Sequence, residues 1–250
     1  MVEQLIGAPV MVGALVVWFV AMAAVPIIAG SQRNRARERA ISLGVVVQTS
    51  VMVVVLFTQW PVLSALRAVL FVPVLGWIAE VIGSSTGIPF GHYHYTAALQ
   101  PQVRHVPVAI PAAWLMMLPP AWAIAELIVP GGPWWLGALI AGAAFTAWDI
   151  YLDPHLVGWK FWEWDVPGKL YLGIPLSNFF GWFLWATIIT AAVQPRSLIG
   201  TPLWLVYVLT WLFQFGGHLV FWKMPISAAA GFIAMALFAV PALMRLFGAA

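Results

Sequence analysis

Cysteine is absent from the 250 residues. That excludes disulfides, thiolate metal sites and cysteine nucleophiles, and it leaves the redox compartment open. Charge is also scarce, at 8% of residues, where a soluble domain carries about a quarter. So little charge cannot cover a water-facing surface, so the outer surface must face lipid. There is no nucleophile elbow, P-loop or dinucleotide fingerprint, no H-E-x-x-H, and no histidine-box cluster of the di-iron desaturase kind. The net charge of +3 is small and local, and gives no reason to expect nucleic acid as a partner. What the chain does have is apolar: 63% hydrophobic residues and a mean hydropathy of +0.96. Sixteen tryptophans exceed what interfacial belts alone require.

Apolar runs of about 20 residues, each long enough to cross a bilayer, fall at roughly 8–29, 41–58, 62–81, 106–129, 134–152, 174–194, 201–221 and 225–247. Backbone groups in hydrocarbon must pair internally, so the runs are expected to be helices. The expectation is an all-α, polytopic bundle of about eight spans, forming one integral membrane domain over 1–250. The third run is the weakest, because it holds Arg67 and Pro73. Glu3 precedes the first run and the arginines follow it, which suits a retained span better than a cleaved signal. Arg33, Arg35, Arg37 and Arg39 crowd the first loop and mark it as cytoplasmic. With eight spans, Arg104, Lys160, Lys169 and Lys223 share that side, and Arg67, Arg196 and Arg245 lie opposite. The arginine cluster reads as an anchor on anionic lipid, and a plasma (inner) membrane location is expected.

Two stretches on the cytoplasmic side, 83–105 and 149–182, are chemically unusual. Glu80 closes span three, Asp149 and Asp153 close span five, and Glu163 and Asp165 follow; Glu126 ends span four on the other face and reads as interfacial. Acidic groups at membrane depth are costly and default to functional candidates. Asp149 and Asp153, four apart, share a helix face. Held close in apolar surroundings they cannot both ionise cheaply, and a carboxylic acid that keeps its proton is what a general acid needs. The plainer roles are a helix end at Asp153-Pro154 and a hydrogen bond from Asp149 to a neighbour. His92, His94 and His105, with His155 and His218, form no convincing ligand set, so no metal is expected. Gln214 and His218 share a face with Trp211 and either line the same cavity or bond between helices. Trp159, Trp162, Trp164, Tyr171, Phe179, Phe180, Trp182 and Trp185 surround the second stretch, and Asn178, Trp182 and Trp185 form one stripe. Such rings pack or belt the interface more often than they bind. They also stabilise a nearby cation by roughly 0.5–2 kcal/mol.

The strings GSSTGIPFGHYHYTAAL and WEWDVPGKLYLGIPLSNFFGWFLWA resemble the multi-spanning carotenoid biosynthesis proteins typified by the carotenoid hydratases. The family pattern places a Glu before G-x-x-T-G-x-P-F-G-x-Y-x-Y, here Glu80, Gly83, Thr86, Gly87, Pro89, Phe90, Gly91, Tyr93 and Tyr95. A second run, Tyr171, Gly173, Ile174, Pro175, Asn178, Phe179, Gly181 and Trp182, matches G-I-P-x-x-N-F-x-G-W, and Asp149 to Pro154 also looks familial. The likeness covers roughly 75–185 and reaches the ends only as apolar spans. The chain is somewhat short for the family, so its substrate can differ.

The resemblance implies addition of water to the terminal double bond of an acyclic carotenoid, with no cofactor. Asp149, Asp153 or Glu80 would supply the proton. Tyr93, Tyr95, Trp162, Trp164, Tyr171, Asn178, Trp182 and His218 would line the substrate site. The implied partners are a carotenoid or other long isoprenoid, the lipid bilayer and other carotenoid enzymes. A carotenoid cyclase makes the same cation and remains the nearest alternative. A membrane prenyltransferase lacks its second aspartate cluster here, and a non-enzymatic transporter would use the polar loops for gating.

Overall fold

A computed structural model describes residues 2–30, 34–165, 170–198 and 201–248; Arg33 and Lys169 of the charge pattern lie outside the described residues. Eight helices among the described residues are long and apolar enough to cross a membrane. They are α1 (Val2–Ala29), α2 (Asn34–Gln59), α3 (Val62–Thr86), α4 (Ala109–Ile128), α5 (Trp134–Gly158), α6 (Leu176–Val193), α7 (Leu203–Gly216) and α8 (Pro225–Leu246), with α7 continuing as a wider π-turn over Gly217–Phe221. Short strands fill the loops: β1 (Tyr93–Tyr95), β2 (Gln102–Val103), β3 (Val106–Pro107), β4 (Trp162–Trp164), β5 (Leu170–Tyr171) and β6 (Ile174–Pro175). The eight-span expectation holds, and the third span forms despite Arg67 and Pro73.

The helices are arranged as a ring around one member. α4 is the most buried span and touches α2, α3, α5, α7 and α8. Around it the neighbours run α3, α6, α5, α8, α7, α1, α2 and back to α3. Outward-facing Val20, Leu63, Leu70, Phe180, Ile233 and Leu237 are exposed, as a surface solvated by lipid requires. Contact in the ring is light between α1 and α7, as it is between α2 and α3.

α1 and α2 begin earlier, and α3 and α5 end later, than hydropathy indicated. α3 continues to Thr86 and α5 passes through Pro154 to Gly158, so Asp153-Pro154 is no helix end. Polar ends read as loop by hydropathy, but the backbone ladder continues into them. A proline inside a helix leaves the carbonyl four residues earlier without its donor, and in lipid that carbonyl needs another. Pro154 frees the carbonyl of Ile150, and Tyr171 Oη donates to it at 2.9 Å. Pro120 likewise frees Met116, and Gln48 Nε2 from α2 donates to that oxygen at 3.0 Å.

The start of α2, the loops after α3 and α5, and the π-turn meet at one end of the bundle. β1 pairs antiparallel with β4 across the α3–α4 and α5–α6 loops. The Arg37 guanidinium lies 4.7 Å over the Trp159 ring, and Trp222 stacks on His155.

Candidate active site

The motif glycines are places where rings press on backbone. A Cβ on Gly83 would stand 2.4 Å from the Phe90 ring, and one on Gly181 would stand 2.5 Å from it. Phe90 is therefore clamped between α3 and α6, and Ser177 Oγ donates to its carbonyl at 2.9 Å. That clamp sets the start of β1. Strand alternation does the rest: the register Tyr93↔Trp164, His94↔Glu163, Tyr95↔Trp162 sends the four rings toward the bundle and the charged pair outward. His94 Nδ1 meets Asp165 Oδ1 at 2.6 Å, and Nε2 stands 3.8 Å from Glu163. His105 Nε2 contacts Ser84 Oγ at 2.9 Å. Among the described residues no three of His, Cys, Asp and Glu group as a metal site.

Glu80 projects from α3 under this strand pair. Tyr93 and Tyr95 donate to its Oε2 at 2.5 and 2.7 Å, and Trp114 Nε1 donates to Oε1 at 3.1 Å. Three donors and no acceptor suit a carboxylate, which only accepts. Burial first, and then the Glu80 charge, holds the Tyr93 and Tyr95 phenols well above their ordinary range. Both therefore remain hydrogen-bond donors at any neutral or mildly alkaline pH.

The second acidic group comes from α5. Asn178, on α6, donates through Nδ2 to Asp149 Oδ2 at 2.9 Å and also to Asp153 Oδ2. Trp162 Nε1 donates to Asp153 Oδ1 at 2.9 Å. Asp149 Oδ1 is buried, with no partner among the described residues. Two buried carboxyls of α5 are thus joined through one amide of α6. Asp153 is the member that lines the adjoining chamber; Asp149 stands behind it.

That chamber is walled by Glu80, Asp153, Asn178 and the rings of Tyr93, Tyr95, Trp148, Trp162, Trp164 and Trp182. Trp182 stacks on Trp114 at 5.0 Å and on Phe145 at 5.3 Å, with Trp148 edge-on at 6.4 Å. From this acidic end an apolar arm runs between α1, α2 and α7 past Met22, Val25, Pro26, Ile41, Val45 and Phe213, toward the α1–α7 seam of the ring.

Of the residues singled out from sequence, Glu80, Asp153, Tyr93, Tyr95, Trp162, Trp164, Asn178 and Trp182 meet on this wall. Tyr171 and His218 do not. The Tyr171 hydroxyl serves Ile150, and its ring sits 5.7 Å from Phe179. His218 is buried between helices, its Nε2 2.9 Å from the Tyr151 carbonyl oxygen. Trp114 and Trp148 were not among the residues singled out from sequence, and His155 was weighed there only as a metal ligand. The two tryptophans carried a signal, since a tryptophan in mid-span is not explained by an interfacial belt.

The carotenoid biosynthesis protein family model matches residues 40–239. The bisanhydrobacterioruberin hydratase of Haloarcula japonica is 28% identical over 108 residues, covering 42% of this chain and 36% of that protein; the match thus spans only about a third of the relative. No solved structure matches. With a family match across most of its length and a chamber of acids and indoles inside eight membrane helices, the chain belongs to the carotenoid biosynthesis protein family.

Proposed function

We propose that this protein is an enzyme that adds water to the terminal double bond of an acyclic carotenoid end, working from the cytoplasmic face of the inner membrane without a cofactor. The observation that carries the reading is the Asp149–Asp153 pair, tied together by Asn178 and presented by Asp153 to an apolar chamber walled with aromatic rings. Protonating a trisubstituted alkene at its less substituted carbon leaves a tertiary cation. The carboxylic acid supplies the proton. The faces of Trp162, Trp164 and Trp182 steady the positive charge and keep bulk water away. Asn178 spends Nδ2 on the two aspartates, and its Oδ1, with no protein partner among the described residues, is free to orient one water. Glu80, held by three donors, is a fixed negative charge facing the cation. The polyene tail would lie in the apolar arm, entering from the bilayer through the α1–α7 seam. The match to a hydratase supports water as the captor.

The test is pigment analysis of a lycopene-producing host expressing this chain, with product mass as the readout. Hydration adds the mass of water. Cyclisation leaves the mass unchanged and would reassign the protein to the cyclases. An unaltered pigment profile from membranes that contain the protein would end the catalytic proposal.

A further inference from the structure

His155 lines the chamber, yet nothing in the scheme above uses it. It leaves α5 two positions after Asp153, so the two side chains depart on different sides of the helix and reach the same cavity. Its ring is fixed on several sides. Nδ1 stands 2.8 Å from the Tyr151 carbonyl oxygen; a carbonyl only accepts, so Nδ1 carries the hydrogen. One face stacks on Trp222 at 4.6 Å and 20°. Trp159 and His218 meet it edge-on, each with ring centroids at 4.9 Å. The Nε2 of His218 stands 2.9 Å from the same Tyr151 oxygen, and its Nδ1 stands 2.8 Å from the Gln214 carbonyl oxygen. With His155 Nδ1 committed, Nε2 of a neutral ring keeps its lone pair. Among the described residues it has no protein partner, and the ring lies on the chamber wall.

We propose that His155 Nε2 is the base of the hydration step, so that acid and base stand on two sides of one helix. The proposal rests on the hydratase reading. The aspartate pair gives its proton to the alkene carbon, and the π bond becomes the new C–H bond. The oxygen of water then bonds to the tertiary cation, forming an oxonium. His155 Nε2 takes the oxonium's extra proton, releasing the neutral alcohol. The imidazolium and the carboxylate pair now share one chamber, and a proton passed through the next water resets both. Atoms balance as alkene plus water giving alcohol, with no oxidant or reductant.

The experiment uses the purified full chain in lipid nanodiscs with lycopene in D2O. The wild-type protein is expected to yield alcohol carrying deuterium at the protonated carbon. His155→Asn keeps an amide nitrogen where Nδ1 stands and deletes the base. Its hydration rate is expected to fall about 100-fold, in the range for losing a general base, while recovered lycopene still gains deuterium at its terminal alkene carbon. The cation still forms in that variant and, after turning about the adjacent C–C single bond, loses the original hydrogen to the aspartates and keeps the deuterium. His155→Phe, which keeps a ring against Trp222, gives the same split. Hydration within twofold of wild type in both variants would overturn the proposal. So would hydration and exchange falling together, which marks a structural role. A wild-type protein that neither hydrates nor exchanges would sink the hydratase reading itself, and this inference with it.

Discussion

Glu80 and Glu126 lie near opposite ends of the bundle, each beside a cavity, and they are satisfied in different ways. Glu126, in the last turn of α4, is only half-buried and accepts the backbone N–H of Leu198 at 2.6 Å. That bond ties down the segment after α6. Around it stand Trp122, whose Nε1 donates to Thr190 at 2.8 Å, and Arg196, whose Nε reaches Ser64 at 2.9 Å. Glu80 is buried, takes its hydrogen bonds from side chains of β1 and α4, and shares its cavity with a second acidic group. A carboxylate spent on backbone fixes a loop. One held by side chains beside empty apolar space has no folding role that needs the space, and the space is what a substrate would fill.

The comparison breaks most sharply at Asp153. Asp153→Asn removes the proton carried to the chamber wall while keeping the shape and the contact with Trp162. Hydration in membranes is expected to drop by about 10²–10⁴-fold, the usual worth of a general acid. Asp149→Asn is expected to act in the same direction through the amide that joins the pair. Glu126→Gln, at the other end, should stay within about twofold of wild type. Product formation from lycopene, measured by mass, decides it; equal activity in all three variants would remove the aspartates from the mechanism.

The aromatic wall separates the two ends next. Trp182→Leu deletes a ring from the chamber, and Trp182→Phe keeps one. If the rings steady a cation, the leucine variant loses roughly 0.5–2 kcal/mol of stabilisation, which is about 2- to 30-fold in rate, while phenylalanine recovers most of it. Trp122→Leu, beside Glu126, should leave the rate alone. Turnover at saturating lycopene is the readout, and equal losses from leucine and phenylalanine would argue for packing instead.

How much of this was legible in the chain differs between these parts for physical reasons. The eight helices were, because each run of about 20 apolar residues admits no other structure in lipid. Asp149 and Asp153 were, because i and i+4 on a helix share a face whatever surrounds them. The β1–β4 pairing was not. Tyr-His-Tyr and Trp-Glu-Trp both alternate, but three residues are too few to announce a strand, and their partners lie about 70 positions apart in sequence. Tyr171 was misplaced because its role answers a need created elsewhere, the carbonyl that Pro154 leaves unpaired. His218 was assigned to the face of Gln214 by counting helical turns, but α7 ends at Gly216 and the chain widens into a π-turn, where a 3.6-residue phase no longer applies. His155 was weighed only as a metal ligand, because a proline one position before it reads as a helix end and takes it off the face of α5.

The glycine clamp gives a stability test that leaves the acids untouched. Gly181→Ala pushes a methyl into the Phe90 ring, held on its other side by Gly83, and is expected to cost about 1–3 kcal/mol, as overpacking does. Gly137→Ala, where a Cβ meets nothing within 4 Å, should be neutral or slightly stabilising, since alanine suits a helix better. Thermal unfolding of both variants in one detergent compares them directly, and an undiminished midpoint for Gly181→Ala would show that Phe90 is free to move.

The smallest effect belongs to the tyrosines over Glu80. Their phenols ionise above the ordinary value of 10.0 in the folded protein, chiefly through burial. The unfolded chain releases those protons near pH 10 and the folded protein holds them, so the unfolded state binds fewer protons there and folded stability falls as pH rises past 10. Below that pH both states keep the proton and the term is flat. Tyr93→Phe removes one such group, so its melting temperature is expected to decline less steeply than that of wild type between about pH 9 and 11. Its neutral-pH activity should fall by only a few-fold, the worth of one hydrogen bond to a charged group. A parallel decline in wild type and variant would mean that the Tyr93 hydroxyl reaches water, and Glu80 would then be no better shielded than Glu126.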